Sequence, residues 1–425
     1  MKAIIEPGKI NAILTAPPSK SMTQRAYAAA LLHTGTTNVL NAGNSEDEIA
    51  ALDIIQRLGA RITKLDGNGM EIVSSGVRPI SDSINCGESG LAARLFTPIA
   101  ALSATAIRVD GKGSLLRRPL DGLVEALSLL QVALPAFNGY LPFTMQGPIQ
   151  ASSLTINGKD GSQFLSGLLF ALTEAAQRPI VITVDGLKSR PYVDMTLAML
   201  ALAGRPVAHN RYREFYIDPA RSTQSDKLEI AIEGDWSSAS FFLVAGAISG
   251  SAKVEGLNIN SCQADKAVLD VLRSAGAGVV AVNNSVTVQQ ARLNSFEFDA
   301  THCPDLFPVL SILAACAQGE SSIRGLHRLF HKESNRVESI TEMLQDFAVP
   351  WSAEDDTLFI TGVPELQGTV IDSYHDHRIA MAATIGALKA GSRVDILHAG
   401  SVRKSYPGFF NDFSMCGGKC IFIDS

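Results

Sequence analysis

The sequence predicts an α/β protein made of one unit written six times, with apolar helices inside and sheets covering them. Three observations carry this. Helix-like segments of the form charged, apolar, apolar, small end at Gly59, Gln131, Gly204, Gly276 and Ala348, spaced by 72 or 73 residues. A second, more apolar family begins at Ser21, Ser89, Ser162, Ser237, Asp305 and His377, spaced by 68 to 75 residues. Between the two families lie β-patterned stretches. Six repeats of about 72 residues account for the 425-residue chain, and unusual residues at equivalent points of a repeat become candidates for one shared site.

In chain order, segments 47–58, 121–130, 194–203, 265–275 and 336–347 carry charges on one face and apolar residues at i, i+3, i+4 and i+7. That pattern predicts amphipathic surface helices. Segments 21–33, 89–103, 162–176, 237–248, 305–317 and 377–389 are apolar nearly all round, as in "FLSGLLFAL" and "SASFFLVAGAI", and predict helices buried on every side. The stretches "IRVDG", "ITVDG", "AKVEG", "SSIRG", "LFITG" and "RVDIL" read as strands. Strands alternating with two kinds of helix give the α/β class. Apolar helices within and sheets without are the reverse of the usual barrel. Helices that start inside a protein present free N–H groups and positive dipole ends, which bind anions and phosphates above all.

Composition narrows the function. The chain is 46% apolar, 18% charged and 6% aromatic, which describes a soluble globular protein with a large core, and its length suggests two or three domains. A net charge of −6 gives no global support for nucleic acid or an anionic membrane as partner, so anion sites must come from local Arg and Lys. The N-terminus lacks the apolar stretch of a signal peptide, and runs such as 239–248 fall short of the roughly 20 residues that span a bilayer. Six scattered cysteines read as reduced thiols of a cytoplasmic protein. Cys416 and Cys420 bracket Gly-Gly-Lys without a second Cys/His pair, so no metal site is expected.

Polar and ionisable residues gather at one register, the start of each apolar segment. These starts are Pro18-Ser19-Lys20-Ser21 with Arg25, Gly87-Glu88-Ser89-Gly90 with Arg94, Asp160-Gly161-Ser162-Gln163, Gly234-Asp235-Trp236-Ser237, Pro304-Asp305, and Asp376-His377-Arg378. Helix capping accounts for Ser21, Ser162 and Asp305 one at a time. It does not account for Lys20, Arg25 or Arg378, because a cation near a positive helix end is unfavourable unless an anion lies between them. A bound phosphate or carboxylate is the better account.

Eight segments, "PPSKSMTQRA", "GSQFLSGLL", "SRPYVDMTL", "EGDWSSASFFL", "CPDLFPVLSILA", "HKESNRV", "DHRIAMA" and "KSYPGFF", stand in the order and spacing of the EPSP synthase family, which the chain resembles over essentially its whole length. The resemblance implies a two-domain inside-out α/β barrel, with 1–14 plus 233–425 forming one half, 15–232 the other, and the active site in the cleft between them. It implies transfer of the enolpyruvyl group of phosphoenolpyruvate to the 5-hydroxyl of shikimate 3-phosphate, without metal or organic cofactor, in the cytoplasm, by a monomer. Carried over by motif, Lys20, Ser21 and Arg25 form the opening substrate loop, with Gly90 and Arg118 also substrate-binding. Ser162, Gln163 and Ser189 contact shikimate 3-phosphate. Asp305 and Glu333 form the acid–base pair, with Asp305 near the nucleophilic hydroxyl and Glu333 donating the proton. Lys20 and Lys404 flank the bridging and phosphate oxygens. Arg336 and Arg378 clamp the enolpyruvyl carboxylate, and His377 lies beside them.

Three positions depart from the family pattern. Glu88 replaces a neutral amide, Ser114 stands where a phosphoenolpyruvate-binding Arg is usual, and Gly161-Ser162-Gln163 is one hydroxyl short. Lys112, Arg117 or Arg118 is expected to supply the missing cation. Leu91 beside Gly90, together with Ser114, is expected to weaken binding of the inhibitor glyphosate. The sister transferase that acts on a UDP-sugar usually carries a reactive Cys in the 111–119 loop, and this loop has none. A catalytically inactive descendant that binds a phosphorylated metabolite is the remaining alternative.

Overall fold

The structure, a computed structural model, describes the chain except Asp160, Gln224, Asp424 and Ser425, and at Asp121 the backbone alone. Asp160, quoted above at the start of the third apolar segment, therefore lies outside the described residues. The chain divides into two compact units, Pro18–Ile232 and Met1–Pro17 with Glu233–Ser425.

The Pro18–Ile232 unit contains helices α1 (Lys20–Leu32), α2 (Glu46–Arg57), α3 (Gly90–Ala100), α4 (Asp121–Leu129), α5 (Gln163–Ala175) and α6 (Arg190–Leu202). Helices α1, α3 and α5 are the apolar ones, and they pack on one another. Arg94 is the one residue of α3 that is not buried. The other unit contains α7 (Trp236–Ile248), α8 (Val268–Ser274), α9 (Phe307–Ala315), α10 (Arg336–Asp346), α11 (His377–Ala387) and α12 (Phe409–Met415). Here α7, α9 and α11 pack on one another and are buried at every residue. Burial at roughly 1.5–3 kcal/mol per large apolar side chain, more than helix propensity, holds such segments helical. Each unit has one contiguous hydrophobic core.

The sheets share a connectivity. In the Pro18–Ile232 unit, Gly35–Leu40 pairs parallel with Lys227–Ala231 and antiparallel with Gly69–Ser74. Ala106–Asp110 pairs parallel with Ser83–Asn85 and antiparallel with Phe143–Gln146, and Ile180–Asp185 does the same with Leu154–Asn157 and Glu214–Ile217. In the other unit the same two kinds of partner flank Gly250–Glu255, Glu320–Arg324 and Val394–Leu397. Five of these six central strands contain stretches quoted from the sequence; Gly35–Leu40 was not among them, and "LFITG" falls on Thr357–Thr361, the antiparallel neighbour of Glu320–Arg324.

The five break residues share a backbone conformation. Gly59, Gln131, Gly204, Gly276 and Ala348 all have left-handed φ, between 57° and 111°. Each lies just beyond an amphipathic helix, where an αL residue turns the chain and satisfies terminal carbonyls. Gly417 follows α12 in the same way, at φ 96°.

Candidate active site

In the unit made by Met1–Pro17 and Glu233–Ser425, charged side chains converge at the starts of α9, α10 and α11. Arg336 is the first residue of α10 and is completely buried. Its Nε donates to Asp376 Oδ2 (2.8 Å), Nη1 to Asp305 Oδ1 (2.7 Å), and Nη2 to Glu333 Oε2 (2.7 Å) and Asp376 Oδ1 (3.2 Å). One guanidinium thus holds three carboxylates. Asp376, fully buried, is the N-cap of α11 and accepts from the Arg378 backbone N–H (2.9 Å) and the Ser334 hydroxyl (3.1 Å).

Asp305 caps nothing, contrary to the capping alternative. It lies in the short turn Pro304–Leu306 ahead of α9. Its carboxylate meets Arg378 Nη2 (3.0 Å), Arg336 Nη1 and Lys332 Nζ (3.2 Å), and Arg378 Nη1 donates to Ser237 Oγ at the start of α7. Burial alone pushes the Asp305 carboxyl up, but Arg378, Lys332 and Arg336 outweigh it and hold the group well below the usual carboxylate range. Asp376 is likewise lowered: burial opposes, and Arg336 overcomes it. Lys332 is lowered by its burial against the pull of Asp305. His377 is buried behind the Asp376 cap, and Lys404, also buried, donates to the His375 carbonyl (2.8 Å).

The Pro18–Ile232 unit has its own cluster. Ser19, not Ser21, is the N-cap of α1, so Ser21 sits inside the first turn. Lys20 Nζ pairs with Asp47 Oδ2 at 2.8 Å. A capping box joins Ser45 and Glu48 at the head of α2, and this fixes Asp47 in the same turn. Arg25 is wholly buried and donates to Thr196 Oγ1 (2.8 Å), Ser21 O (2.8 Å) and Tyr192 O (3.1 Å), which ties α1 to α6. Thr196 passes the chain on to Ser166 of α5 (2.8 Å). Ser162 is the buried N-cap of α5 but makes no side-chain cap bond, and Gln163 follows it as the first helical residue. Ser189, before α6, is held at φ 54°, a conformation costly outside glycine and concentrated at functional sites.

At the head of α3, Gly90 is closely approached. A Cβ there would stand 2.6 Å from Arg118 Nη1 and 3.2 Å from Arg94 Nη1, so any side chain at this position would require the two guanidiniums to shift. Arg94 Nη2 in turn donates to the Pro119 carbonyl (2.8 Å). Of the three cations offered for the missing Arg, Arg118 is buried against this helix start, whereas Lys112 and Arg117 are exposed. Glu88 accepts from the N–H (3.1 Å) and hydroxyl (3.2 Å) of Ser114.

The expected residues therefore fall into two groups. One gathers Asp305, Glu333, Arg336, Arg378 and the buried His377; the other lies along the starts of α1, α3, α5 and α6. Lys404 donates to the His375 carbonyl, two residues before His377. Lys20 faces Asp47 and Arg378 faces Asp305, carboxylates of the chain itself. Sequence reading named Asp376 and Arg94 at the helix starts without assigning them a role, and did not single out Lys332 or Asp47. Lys332 and Asp376 stand inside quoted segments next to residues that were chosen. Asp47 lies 27 residues from Lys20 and gave no signal beyond an acidic first turn. Among the described residues, no group of His, Cys, Asp or Glu could hold a metal ion, and the six cysteines are free thiols. No described helix is long and apolar enough to cross a membrane.

The chain is similar to known proteins over nearly its whole length. The EPSP synthase (3-phosphoshikimate 1-carboxyvinyltransferase) family profile matches residues 4–413. The chain is 32% identical to a 3-phosphoshikimate 1-carboxyvinyltransferase of Clostridium novyi over 423 residues, covering 97% of each chain. It is 34% identical to one from Methanocorpusculum labreanum, covering 98% of this chain and 99% of that one. An EPSP synthase structure from Acinetobacter baumannii superposes with TM-score 0.81 at 24% identity, over 99% of this chain and 100% of that one. The enolpyruvyl transferase NikO from Streptomyces tendae gives TM-score 0.80 at 15% identity, over 100% and 99% of the two chains, a likeness of fold. The protein belongs to the EPSP synthase family.

Proposed function

We propose that the protein transfers the enolpyruvyl group of phosphoenolpyruvate to the 5-hydroxyl of shikimate 3-phosphate and releases inorganic phosphate. The observation that carries this is the Asp305 cluster, three cations turned on one carboxylate beside Glu333, in a chain that belongs to this family. The substrates bring two phosphates and a carboxylate, and buried Arg and Lys provide their counter-charge. Lys20, Ser21, Arg25, Gly90, Arg118, Ser162, Gln163 and Ser189 serve substrate binding from the Pro18–Ile232 unit, and Arg336, His377, Arg378 and Lys404 from the other.

In the reaction the methylene carbon of phosphoenolpyruvate gains a proton, with Glu333 as donor, as the attacking hydroxyl bonds to the central carbon and gives its proton to Asp305. The adduct then returns a methyl proton to Glu333 as its bond to phosphate breaks, which restores the double bond. Asp305 stands ionised while Arg378, Lys332 and Arg336 face it. A substrate carboxylate that competes for Arg378 loosens that hold, so Asp305 becomes more basic as its site fills. Its negative charge also stabilises the cation that develops at the central carbon.

The same reading takes each unit as three copies of one module, together the inside-out barrel pair, acting as a cytoplasmic monomer. The shared strand connectivity and the left-handed break residues support the module. The test of function is phosphate release by purified protein without added metal. Release only when both substrates are present is expected. Silence from folded protein given both would overturn the reading in favour of an inactive phosphometabolite binder.

A further inference from the structure

The segment 111–119 is pinned to the first turn of α3 at several points. The Lys112 N–H donates to the Gly87 carbonyl at 2.8 Å, and Ser114 donates both its N–H and its hydroxyl to Glu88 Oε2. Further on, Leu115 is completely buried, the Arg118 N–H returns to the Leu115 carbonyl (3.1 Å), and Arg94 holds the Pro119 carbonyl. Gly113, at φ 56°, lies flat against the Glu88 carboxylate, and a Cβ there would stand 2.6 Å from Glu88 Oε1. A carboxylate beside a region that must hold phosphate is unfavourable by itself, yet this one accepts from two donors of one turn.

We infer that Glu88 is a positioning residue for the phosphoenolpyruvate end of the site, whose carboxylate fixes the Gly113–Arg117 turn and thereby sets Arg118 against Gly90. This rests on the functional reading above. The hydrogen bonds carry the positioning, because a carboxamide in the same place still accepts from the Ser114 N–H and can donate to its hydroxyl. Glu88 acts through Arg118 and touches no reacting atom.

The test compares Glu88→Ala, Glu88→Gln and Ser114→Ala by steady-state kinetics and by hydrogen exchange of the 112–118 amides. Glu88→Ala is expected to raise KM for phosphoenolpyruvate about 10- to 100-fold, the worth of hydrogen bonds to a charged acceptor. KM for shikimate 3-phosphate should stay unchanged, and the 112–118 amides should exchange faster. Glu88→Gln should restore most of the affinity, and Ser114→Ala, which keeps its N–H, should fall between. An unchanged KM in Glu88→Ala with intact melting would overturn the inference. So would a lower KM in both Glu88 variants, which would make the carboxylate a repulsive charge. If wild-type protein releases no phosphate from the two substrates, the functional reading fails instead. Exchange then decides the role of Glu88, and unaltered protection in Glu88→Ala refutes it.

Discussion

Arg336 is a guanidinium without solvent, and only the three carboxylates around it make that tolerable. Removing one partner of a fully buried pair leaves an uncompensated charge, so Asp376→Ala is expected to cost about 3–5 kcal/mol and to lower Tm accordingly. Differential scanning calorimetry checks this. Asp305 and Asp376 titrate lower in the fold than unfolded. They therefore stabilise the fold above the ordinary aspartate value of about 3.9, and this contribution is lost as pH falls through the lower folded values. The urea midpoint should drop as pH goes below about 4, and by less in Asp376→Asn. Asp265 has the opposite sign. Burial first, and the charge of Asp305 second, push it up to about 7, so it stabilises the fold least once pH has risen through that value. Asp265→Asn should raise Tm at pH above about 8 and change it little near pH 4, which thermal melts at the two pH values decide. Glyphosate binding belongs to this scale too. With Leu91 after Gly90 and Ser114 in place of a cation, inhibition should be weaker than micromolar, and a sub-micromolar inhibition constant would contradict it. The sequence showed which residue types collect at helix starts. It did not show that Asp47 answers Lys20 or that Asp376 answers Arg336, because those pairs are made by tertiary approach across 27 and 40 residues.

At the scale of elements, what could be read was what periodicity encodes. The buried helices were legible because α7, α9 and α11 have no polar face, and the strands because Ile180–Asp185 and Gly250–Glu255 alternate in burial. Helix starts were less legible. Ser19 displaced Ser21 as the cap of α1, and Asp305 fell in a turn of its own, since any nearby Ser or Asp satisfies a capping pattern. The breaks after the amphipathic helices have a shared physical meaning. Ala348 sits at φ 57° where glycine is at no disadvantage, so Ala348→Gly should stabilise by about 0.5–1 kcal/mol. Gly59→Ala should destabilise, because its Cβ would strike the Arg78 carbonyl at φ 111°. Chemical denaturation of the two variants separates these outcomes.

At the scale of the molecule, the chain runs out of the Met1–Pro17 unit, builds the whole Pro18–Ile232 unit, and returns at Glu233. Length and composition alone gave two or three domains. Where the chain crosses came only with the family resemblance, because Pro17-Pro18 reads as any short loop and nothing in the composition sets Ile232 apart. Each unit keeps a complete core and its own charged cluster at helix starts, the arrangement expected of a protein that handles several anions at once. The proposed function requires that the protein join its two phosphorylated substrates in one condensation. A single phosphorus NMR time course tests it, with shikimate 3-phosphate and phosphoenolpyruvate mixed with the protein and no added metal. The phosphoenolpyruvate signal is expected to give way to inorganic phosphate while the shikimate ester signal shifts, in equal amount, to a new ester. Phosphate appearing without any change in the shikimate ester, or no change in either signal, would contradict it.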